Sequence, residues 1–338
     1  MKRSKATSTT AAPDWKVTRV ALYVDHDLLY ANEHQQVRVR AYIEAKNNGN
    51  PVPLTPTEIA SVSLIDYNSP RNAIPFSTQA RATAWKGWSA QRVYNKYAYH
   101  PAAARNGHSP STPSAGGDYV ELYLSADAEA LAGPLMLGFT ITGDNGWRYR
   151  TDGYVFEPGS DEGAFNTLYD TGPDKAVRAE PPIVYATSEF VLNRQARHRH
   201  GDAPDATIFD DIVTVSIVNG GRVVELRSMQ CKRAGMIHWI DELPDTHNPC
   251  YTGYAEPGST AITWDDDVPV GSLPRPTLSV AIPGKGTIML CGRNDIRRAD
   301  YGGAPQEPVN VTLRDTYGSE QHCHIGFVAG ERDTLKVS

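Results

Sequence analysis

The chain has 338 residues, a length that suits two domains of ordinary size, each able to bury a core. A hydrophobic fraction of 40% and a charged fraction of 21% exclude an intrinsically disordered protein. The formal net charge of −6 opposes contact with a phosphate backbone, so we expect no nucleic-acid partner.

The N-terminal segment is polar. Lys2 and Arg3 are followed by serines and threonines, where a Sec signal peptide needs an apolar core. We predict a disordered tail over residues 1–14. No apolar run reaches the roughly 18 residues of a membrane-spanning helix, so we expect no membrane span. The pattern indicates synthesis in the cytoplasm, and it leaves open export by a route other than Sec or association with a virion.

The clearest strand runs from Gln35 to Ala45. Apolar residues such as Val37 and Val39 alternate there with polar residues such as Arg38 and Arg40. Alternation with a period of two places the apolar side chains on one side of a sheet and the polar ones on the other. The segment therefore predicts a strand with one face in the core and one in water.

Turn and cap signals follow this strand. Residues 47–51 read Asn-Asn-Gly-Asn-Pro. Asn and Gly tolerate positive φ, and Pro cannot donate a hydrogen bond to a neighbouring strand, so we predict a turn here. Thr55 is followed by Pro56 and, three residues after the threonine, by Glu58. This order is typical of a capping box and predicts a short helical turn. A second helical turn is predicted at Asp127–Ala132.

Further strands are predicted in both halves of the chain. In the first half they are Ser61–Tyr67, Arg92–Tyr99, Asp118–Ser125, Leu135–Thr142 and Trp147–Phe156. In the second half they are Ile212–Val218, Arg222–Arg227, Thr277–Ile282, Thr287–Cys291, Val309–Arg314 and Cys323–Val328. Asp144–Gly146 and Asn219–Gly221 have the composition of hairpin turns.

The domain organisation follows from these elements. Strands at short intervals with Gly-rich turns, and no long amphipathic helix, predict an all-β fold built from β-sandwiches. The segment 159–182 is rich in Gly, Asp, Glu and Pro with little periodicity, so we predict a linker there. Residues 15–158 and 183–338 are then two β-sandwich domains of the immunoglobulin-like type.

A stretch near the start resembles a known family. Ala31–Glu33, Val37–Ala45 and Asn48–Val52 together resemble the opening of bacterial immunoglobulin-like domains of the invasin and intimin type, in which a Val/Ala strand runs into a Gly-Asn-Pro-Val turn. The sequence departs from the family at Glu33, where glycine is usual. The resemblance implies an immunoglobulin-like fold in the N-terminal half, and adhesion or surface display. The C-terminal half carries no such resemblance.

One aromatic cluster is a candidate binding site. The cluster occupies 15 residues of the chain and consists of Trp85, Trp88, Tyr94, Tyr97 and Tyr99. Aromatic rings stack on sugar faces and anchor protein interfaces. The alternative interpretation is that the two tryptophans cover one end of the sandwich.

A second candidate is a metal site. His200 and Asp202 form a His-x-Asp pair that, with the distant His322, matches the ligand types of a facial triad for Fe(II) or another divalent metal. Arg332 then stands where 2-oxoglutarate oxygenases carry an arginine that binds the co-substrate. The competing interpretation is that these are exposed polar side chains, because the run Arg194–Asp205 is very polar and is predicted to be a solvated loop.

The remaining thiols and carboxylates are predicted to be structural. The four cysteines lie in the C-terminal half without a CxxC pair, so they are expected as buried apolar residues, with disulfides left open; they are Cys231, Cys250, Cys291 and Cys323. The acidic runs Asp210–Asp211 and Asp265–Asp267 are predicted to be solvated turn residues, with calcium binding as the alternative.

Two classes of function are compatible with these patterns. The favoured one is a non-enzymatic structural or binding protein that acts through sandwich surfaces, in adhesion, in a particle or filament, or as a delivered protein. Its partner would be a protein, a glycan or another copy of the chain, and it needs no cofactor. The alternatives are a metal-dependent enzyme that uses His200, Asp202 and His322, and a carbohydrate-binding module centred on Trp85 and Trp88.

Overall fold

A computed structural model describes residues 14–76, 85–102, 117–173, 175–200 and 207–338. The chain divides into two compact units, Met1–Pro181 and Pro182–Ser338. Both are built from mainly antiparallel sheets, which confirms the all-β prediction. The predicted N-terminal tail, apart from Asp14, lies outside the described residues.

The first unit contains two sheets. Its strands are β1 (Trp15–Val24), β2 (Leu28–Tyr30), β3 (Val37–Asn47), β4 (Asn50–Val52), β5 (Ser63–Asp66), β6 (Trp88–Gln91), β7 (Gly117–Ala126), β8 (Leu135–Thr142), β9 (Arg148–Arg150), β10 (Asp152–Phe156), β11 (Gly163–Asp170) and β12 (Ala176–Glu180). One sheet has the order β1-β3-β7-β6, with β4 paired to β3. The other has the order β11-β10-β9-β8-β12-β2, with β5 paired to β8.

The core of the first unit lies between these sheets. Val39 of β3 and Leu122 of β7 lie directly opposite each other, and both are fully buried. They belong to one apolar cluster with Phe139 and Ile141 of β8, in the other sheet. Burying one face of each sheet in this way removes apolar surface from water, which is the main stabilising term for such a domain. The predicted alternation of Gln35–Ala45 is confirmed.

Local signals around the first helix are confirmed as well. Helix α1 (Pro56–Ser61) begins at Thr55, whose hydroxyl accepts a hydrogen bond from the Glu58 N–H while the Glu58 carboxylate accepts one from the Thr55 N–H. A short 3₁₀ helix follows at Ala128–Ala132.

Within the described parts of the chain, no helix is long and apolar enough to cross a membrane.

The segment 159–182, predicted as a linker, contributes two strands to the first unit. Strand β12 pairs in parallel with β2 and antiparallel with β8. Strand β11 pairs with β10, and Tyr169 on β11 is buried and donates a hydrogen bond of 2.8 Å to the carbonyl of Val17. Strand β11 lies at the edge of its sheet with most side chains exposed, so its sequence lacks the alternation by which strands are recognised.

The second unit again contains two sheets. Its strands are β13 (Phe190–Arg199), β14 (Phe209–Asn219), β15 (Arg222–Val224), β16 (Leu226–Cys231), β17 (Ile237–His238), β18 (Cys250–Ala255), β19 (Gly286–Gly292), β20 (Val309–Asp315), β21 (Glu320–Phe327) and β22 (Leu335–Val337). The orders are β13-β14-β19-β18-β17, with β15 on β14, and β16-β20-β21-β22. A short helix, α2 (Arg298–Tyr301), precedes β20.

The central strands of the larger sheet are buried on both sides. Leu290 of β19 packs into the cluster shared with the smaller sheet, and the adjacent Met289 packs into a second cluster on the opposite side. Irregular chain covers that second cluster, and Leu278 is one of its buried residues. The predicted strand Thr277–Ile282 is therefore wrong. The segment is irregular and packs Leu278 against the face of the sheet, so it does not pair with a strand at the sheet edge.

Candidate binding surface

The two tryptophans of the predicted aromatic cluster lie towards the core. Trp88 on β6 is 2% exposed and belongs to the first unit's core, and Trp85 is half-buried against it. Their backbones exchange two hydrogen bonds, of 2.8 and 3.0 Å, across a turn in which Lys86 and Gly87 have positive φ. A buried ring offers no face to a ligand, so the structure supports the alternative interpretation, in which Trp88 packs in the core.

The three tyrosines of the same cluster lie at the surface. Tyr94 stacks on Tyr123 of β7, with ring centroids 5.3 Å apart, and on Tyr99 at 6.3 Å. The Tyr94 hydroxyl donates a hydrogen bond of 2.7 Å to the carbonyl of Tyr97. The ring of Tyr97 lies beside that of His34, at 5.8 Å.

The predicted strand Arg92–Tyr99, which contains these tyrosines, is wrong. Two buried glutamines hold this segment through its backbone: Gln36 accepts a hydrogen bond from the Asn95 N–H (2.8 Å), and Gln35 donates one to the Ala98 carbonyl (2.7 Å). Lys96 has a φ of +67°, which no strand accommodates. Side-chain amides thus satisfy backbone groups that a neighbouring strand would otherwise bind.

Other tyrosines extend this surface across the outer side of β1, β3 and β7. Tyr42 of β3 lies directly opposite Tyr119 of β7, with ring centroids 5.0 Å apart, and Tyr23 of β1 lies 6.2 Å from Tyr119. Because alternate residues of a strand share a side, the inward positions of these strands form the core and the outward ones form this surface. We call the set the tyrosine face; its members are Tyr23, Tyr42, Tyr94, Tyr99, Tyr119 and Tyr123.

A glycine makes room for the most enclosed of these rings. Tyr42 is 3% exposed, although it lies on the outward side of β3, because neighbouring groups cover it. Its ring passes over Gly117, where an added Cβ would lie 2.6 Å from two of the ring carbons. The Tyr42 hydroxyl donates a hydrogen bond of 2.5 Å to the carboxylate of Glu44. The ring is therefore held in one position.

Charged side chains lie between the rings. Asp25 accepts hydrogen bonds of 2.7 Å from both Arg38 and Arg40. Arg38 also lies 3.5 Å from Glu121 across β3 and β7. Arg19 lies 3.5 Å from Glu44, and its guanidinium is 5.5 Å from the centre of the Tyr42 ring. Three arginines and three carboxylates thus share the tyrosine face, so its formal charge is balanced.

Three tyrosines of this face, Tyr99, Tyr119 and Tyr123, have pKa values above the ordinary 10.0 and are neutral at physiological pH. Burial is the main cause that raises the pKa of Tyr99, to about 12. Burial likewise raises the pKa of Tyr119 and of Tyr123. Neutral phenols donate hydrogen bonds and stack, but they do not act as general bases near neutral pH.

The polar run predicted as a solvated loop is a strand instead. Residues Arg194 to Arg199 lie on β13, which pairs with β14 along its length. Arg194 and Arg199 both bind the fully buried carboxylate of Asp211 on β14. Asp210, also on β14, is 5% exposed and bonds to Arg293. The prediction that Asp210 and Asp211 are solvated turn residues is therefore wrong as well.

The proposed metal ligands have other contacts. The His200 Nε2 lies 3.1 Å from Asp210, and the ring of His322, on the smaller sheet, contacts Thr312 and Glu320. Arg332 donates hydrogen bonds to backbone carbonyls, including that of Arg293 at 3.0 Å. Asp202 lies outside the described residues. Among the residues that are described, no three His, Cys, Asp or Glu side chains are placed to hold a metal.

The cysteines are free thiols. Cys250 and Cys291 are fully buried, Cys323 is nearly so, and Cys231 is partly buried. Burial is the main cause that raises the pKa of Cys231 and of Cys250 to about 12. A thiol with so high a pKa is a poor nucleophile and behaves as an apolar core group.

Known proteins add no family to these observations. The chain matches no protein-family model and no curated protein sequence.

Proposed function

We infer that the protein is a non-enzymatic structural or binding protein that associates through the tyrosine face of its first unit. The observation that supports this function is the concentration of tyrosine and arginine on the outward side of one sheet. Tyrosine, tryptophan and arginine are the residues enriched at protein interfaces and at their energetic hot spots.

The rings are positioned before any partner binds. The half-exposed Tyr94 is fixed by its hydrogen bond to the Tyr97 carbonyl and by stacking on Tyr123, and the half-exposed Tyr119 packs against the enclosed ring of Tyr42. Ordering flexible side chains at an interface costs about 0.5–1.5 kcal/mol for each one. Rings that are already ordered avoid most of this cost, which favours association.

The partner that the charge pattern fits best is a second copy of the chain. The arginines and carboxylates that pair on the tyrosine face are equal in number, so two copies can meet there without the net repulsion that an excess of one sign would cause. A two-fold contact of this kind closes at a dimer, which can serve as the building unit of a particle or filament. The immunoglobulin-like resemblance suits surface display and adhesion.

Light scattering on the eluted full-length chain tests this function. We expect a defined oligomer whose population rises with protein concentration. Glu121→Arg should convert it to a monomer, because the variant adds positive charge beside Arg38 on both copies. Glu157→Arg is the matched control: it makes the same charge change at an exposed position of the first unit outside the tyrosine face, and the oligomer should persist.

Two outcomes count against the proposal. A wild-type chain that stays monomeric at every concentration removes self-association as the function. An oligomer that survives Glu121→Arg, or that both variants weaken equally, shows that the tyrosine face is not the interface. Circular dichroism of both variants verifies that each is folded.

A further inference from the structure

Trp147 separates two grooves in the first unit. One groove, of about 490 Å³, is here called the aromatic groove; its lining residues include Lys16, Trp147, Tyr149, Phe165, Asn166 and Tyr169. The other, of about 640 Å³, is called the polar groove; its lining residues include Asp14, Asn47, Asn48, Asp144, Asn145 and Trp147. Both volumes lie within the range of small-molecule binding sites, which is roughly 300–1,000 Å³.

The position of Trp147 is determined by the turn that precedes it. Asn145 donates a hydrogen bond of 3.0 Å to the Trp15 carbonyl and accepts one of 3.1 Å from the Trp147 N–H. Gly143 donates to the Trp147 carbonyl at 2.9 Å, and Gly146 donates to the Gly143 carbonyl at 2.8 Å. Because Gly146 has a φ of +81°, the turn has the left-handed conformation that glycine favours. The backbone of Trp147 is thus held by a local network, and its half-buried side chain packs against the core of the unit.

A buried carboxylate joins the wall of the polar groove to this turn. Glu58 is 1% exposed and accepts hydrogen bonds from the N–H groups of Thr55 (2.8 Å) and Asp144 (3.3 Å). The Thr55 hydroxyl donates to the Asp144 carboxylate at 3.0 Å. Helix α1 and the turn before Trp147 are therefore connected, and the groove between them is formed before a ligand arrives.

The aromatic groove is lined by rings. Tyr149 and Tyr169 are buried and meet edge to face, with centroids 5.2 Å apart. The Phe165 side chain is 55% exposed and lies over Gly153, where a Cβ would come within 2.9 Å of the ring carbon Cδ2. The two buried tyrosines close the inner side of the groove, and the accessible rings of Trp147 and Phe165 lie beside the polar side chains of Asn166 and Lys16.

We propose that these two grooves bind a neutral oligosaccharide, with Trp147 as the stacking platform between adjacent sugar rings. The C–H face of a pyranose is apolar and matches an aromatic plane, whereas its hydroxyls both donate and accept hydrogen bonds. Carboxylates and planar amides, which the polar groove supplies through Asp14, Asn47 and Asn48, complement such hydroxyls. A purely apolar ligand would leave these groups unpaired at a cost.

The charges of the grooves argue for a ligand without acidic groups. Asp14 and Asp144 are exposed carboxylates in the polar groove. Among the described residues that line the two grooves, Lys16 is the one cation. A sialylated or sulfated glycan would meet repulsion in the polar groove, whereas a neutral glycan would not. This site shares no residue with the tyrosine face, so the two proposals stand or fall separately.

A panel of immobilised neutral, sialylated and sulfated oligosaccharides, incubated with the full-length chain, tests the site. We expect binding to a neutral oligosaccharide and a perturbed tryptophan fluorescence on titration with the same sugar in solution. Trp147→Ala should weaken the affinity roughly tenfold or more, the scale of a lost hot-spot side chain. Trp85→Ala is the matched control, because Trp85 is also half-buried against the same core but lines neither groove.

A second variant separates binding from folding. Asn47 lies exposed at the end of β3, so Asn47→Ala should leave stability unchanged and weaken binding. Retention of full affinity in both Trp147→Ala and Asn47→Ala overturns the proposal. So does binding restricted to acidic glycans, or failure to bind any neutral oligosaccharide on the panel.

Discussion

Arg199 holds the carboxylate of Asp211 with both arms of its guanidinium group, across the paired strands β13 and β14. Its Nη2 lies 3.0 Å from one carboxylate oxygen, and its Nη1 contacts the other. Arg194 binds the same carboxylate from the other side at 2.7 Å. Because Asp211 is fully buried, these two arginines supply the partners that a buried charge requires.

Asp211→Asn should destabilise the second unit by about 2 kcal/mol, the scale of hydrogen bonds to a charged group. Hydrogen exchange of β13 and β14, measured by mass spectrometry, should show faster exchange in both strands. Asp333→Asn is the control, because Asp333 also pairs with Arg194 but is 35% exposed, so its loss should have a much smaller effect. Equal effects from the two variants would contradict this account.

The same carboxylate should make the second unit sensitive to acid. Burial alone would raise the pKa of Asp211, but the hydrogen bonds from Arg199 and Arg194 outweigh it and hold the pKa below the ordinary 3.8. The folded state then binds fewer protons than the unfolded state, so this stabilisation is present above about pH 3.8 and is lost as the pH falls through the folded pKa. As the pH is lowered below 4, the melting temperature should fall less steeply in Asp211→Asn than in the wild type.

Trp88→Ala should be among the most destabilising single changes in the first unit. Its side chain is 2% exposed, and truncating a buried tryptophan costs about 3–5 kcal/mol in unfolding free energy. Trp85→Ala should cost less, because Trp85 is only half-buried. Urea denaturation followed by circular dichroism measures both. A small loss in Trp88→Ala would mean that the core tolerates the cavity.

Tyr99 should titrate abnormally in alkaline solution. Burial raises its pKa to about 12 from the ordinary 10.0, so the folded state keeps a proton that the unfolded state loses. Stability therefore falls as the pH rises from about 10 to 12. Tyr99→Phe should reduce this fall, and the ultraviolet absorbance of phenolate should show one fewer late-titrating tyrosine. If the alkaline titration and stability curves of Tyr99→Phe matched those of the wild type, a tyrosine other than Tyr99 would be the cause of the late titration.

The thiols should be unreactive until the second unit unfolds. Burial raises the pKa of Cys323 to about 11 and that of Cys291 well above its ordinary value of 9.0. Since the thiolate is the reactive form, Ellman's reagent should modify the native chain slowly at about pH 8. All four thiols should react in denaturant. Rapid modification of the native chain would show that the second unit opens locally.

Elements defined by local chemistry could be predicted from the chain. The alternation of Gln35–Ala45 identifies β3, and the Thr55–Glu58 capping box identifies α1. The Asp144–Gly146 turn joins β8 to β9 as its composition indicates. In each case the residues that determine the structure are within a few positions of one another, so the local sequence is sufficient to predict the element.

Strands that depend on distant partners could not be recognised. Strand β13 is polar on both sides over most of its second part, Asn193–Arg199, where its arginines bind Asp211 of another strand. Arg92–Tyr99 has the composition of a strand, yet Gln35 and Gln36 hold its backbone in another conformation. Local propensity is a weak preference, and tertiary contacts of this kind override it.

The all-β class follows from the sequence alone, because alternation and composition are local properties that folding preserves. Which aromatic residues reach the surface was decided by the tertiary structure. Trp88 is in the core, whereas Tyr42 and Tyr119, far apart in the chain, meet on the tyrosine face through the register of β3 and β7. Register depends on the packing of whole sheets, and one segment read by itself does not contain that information.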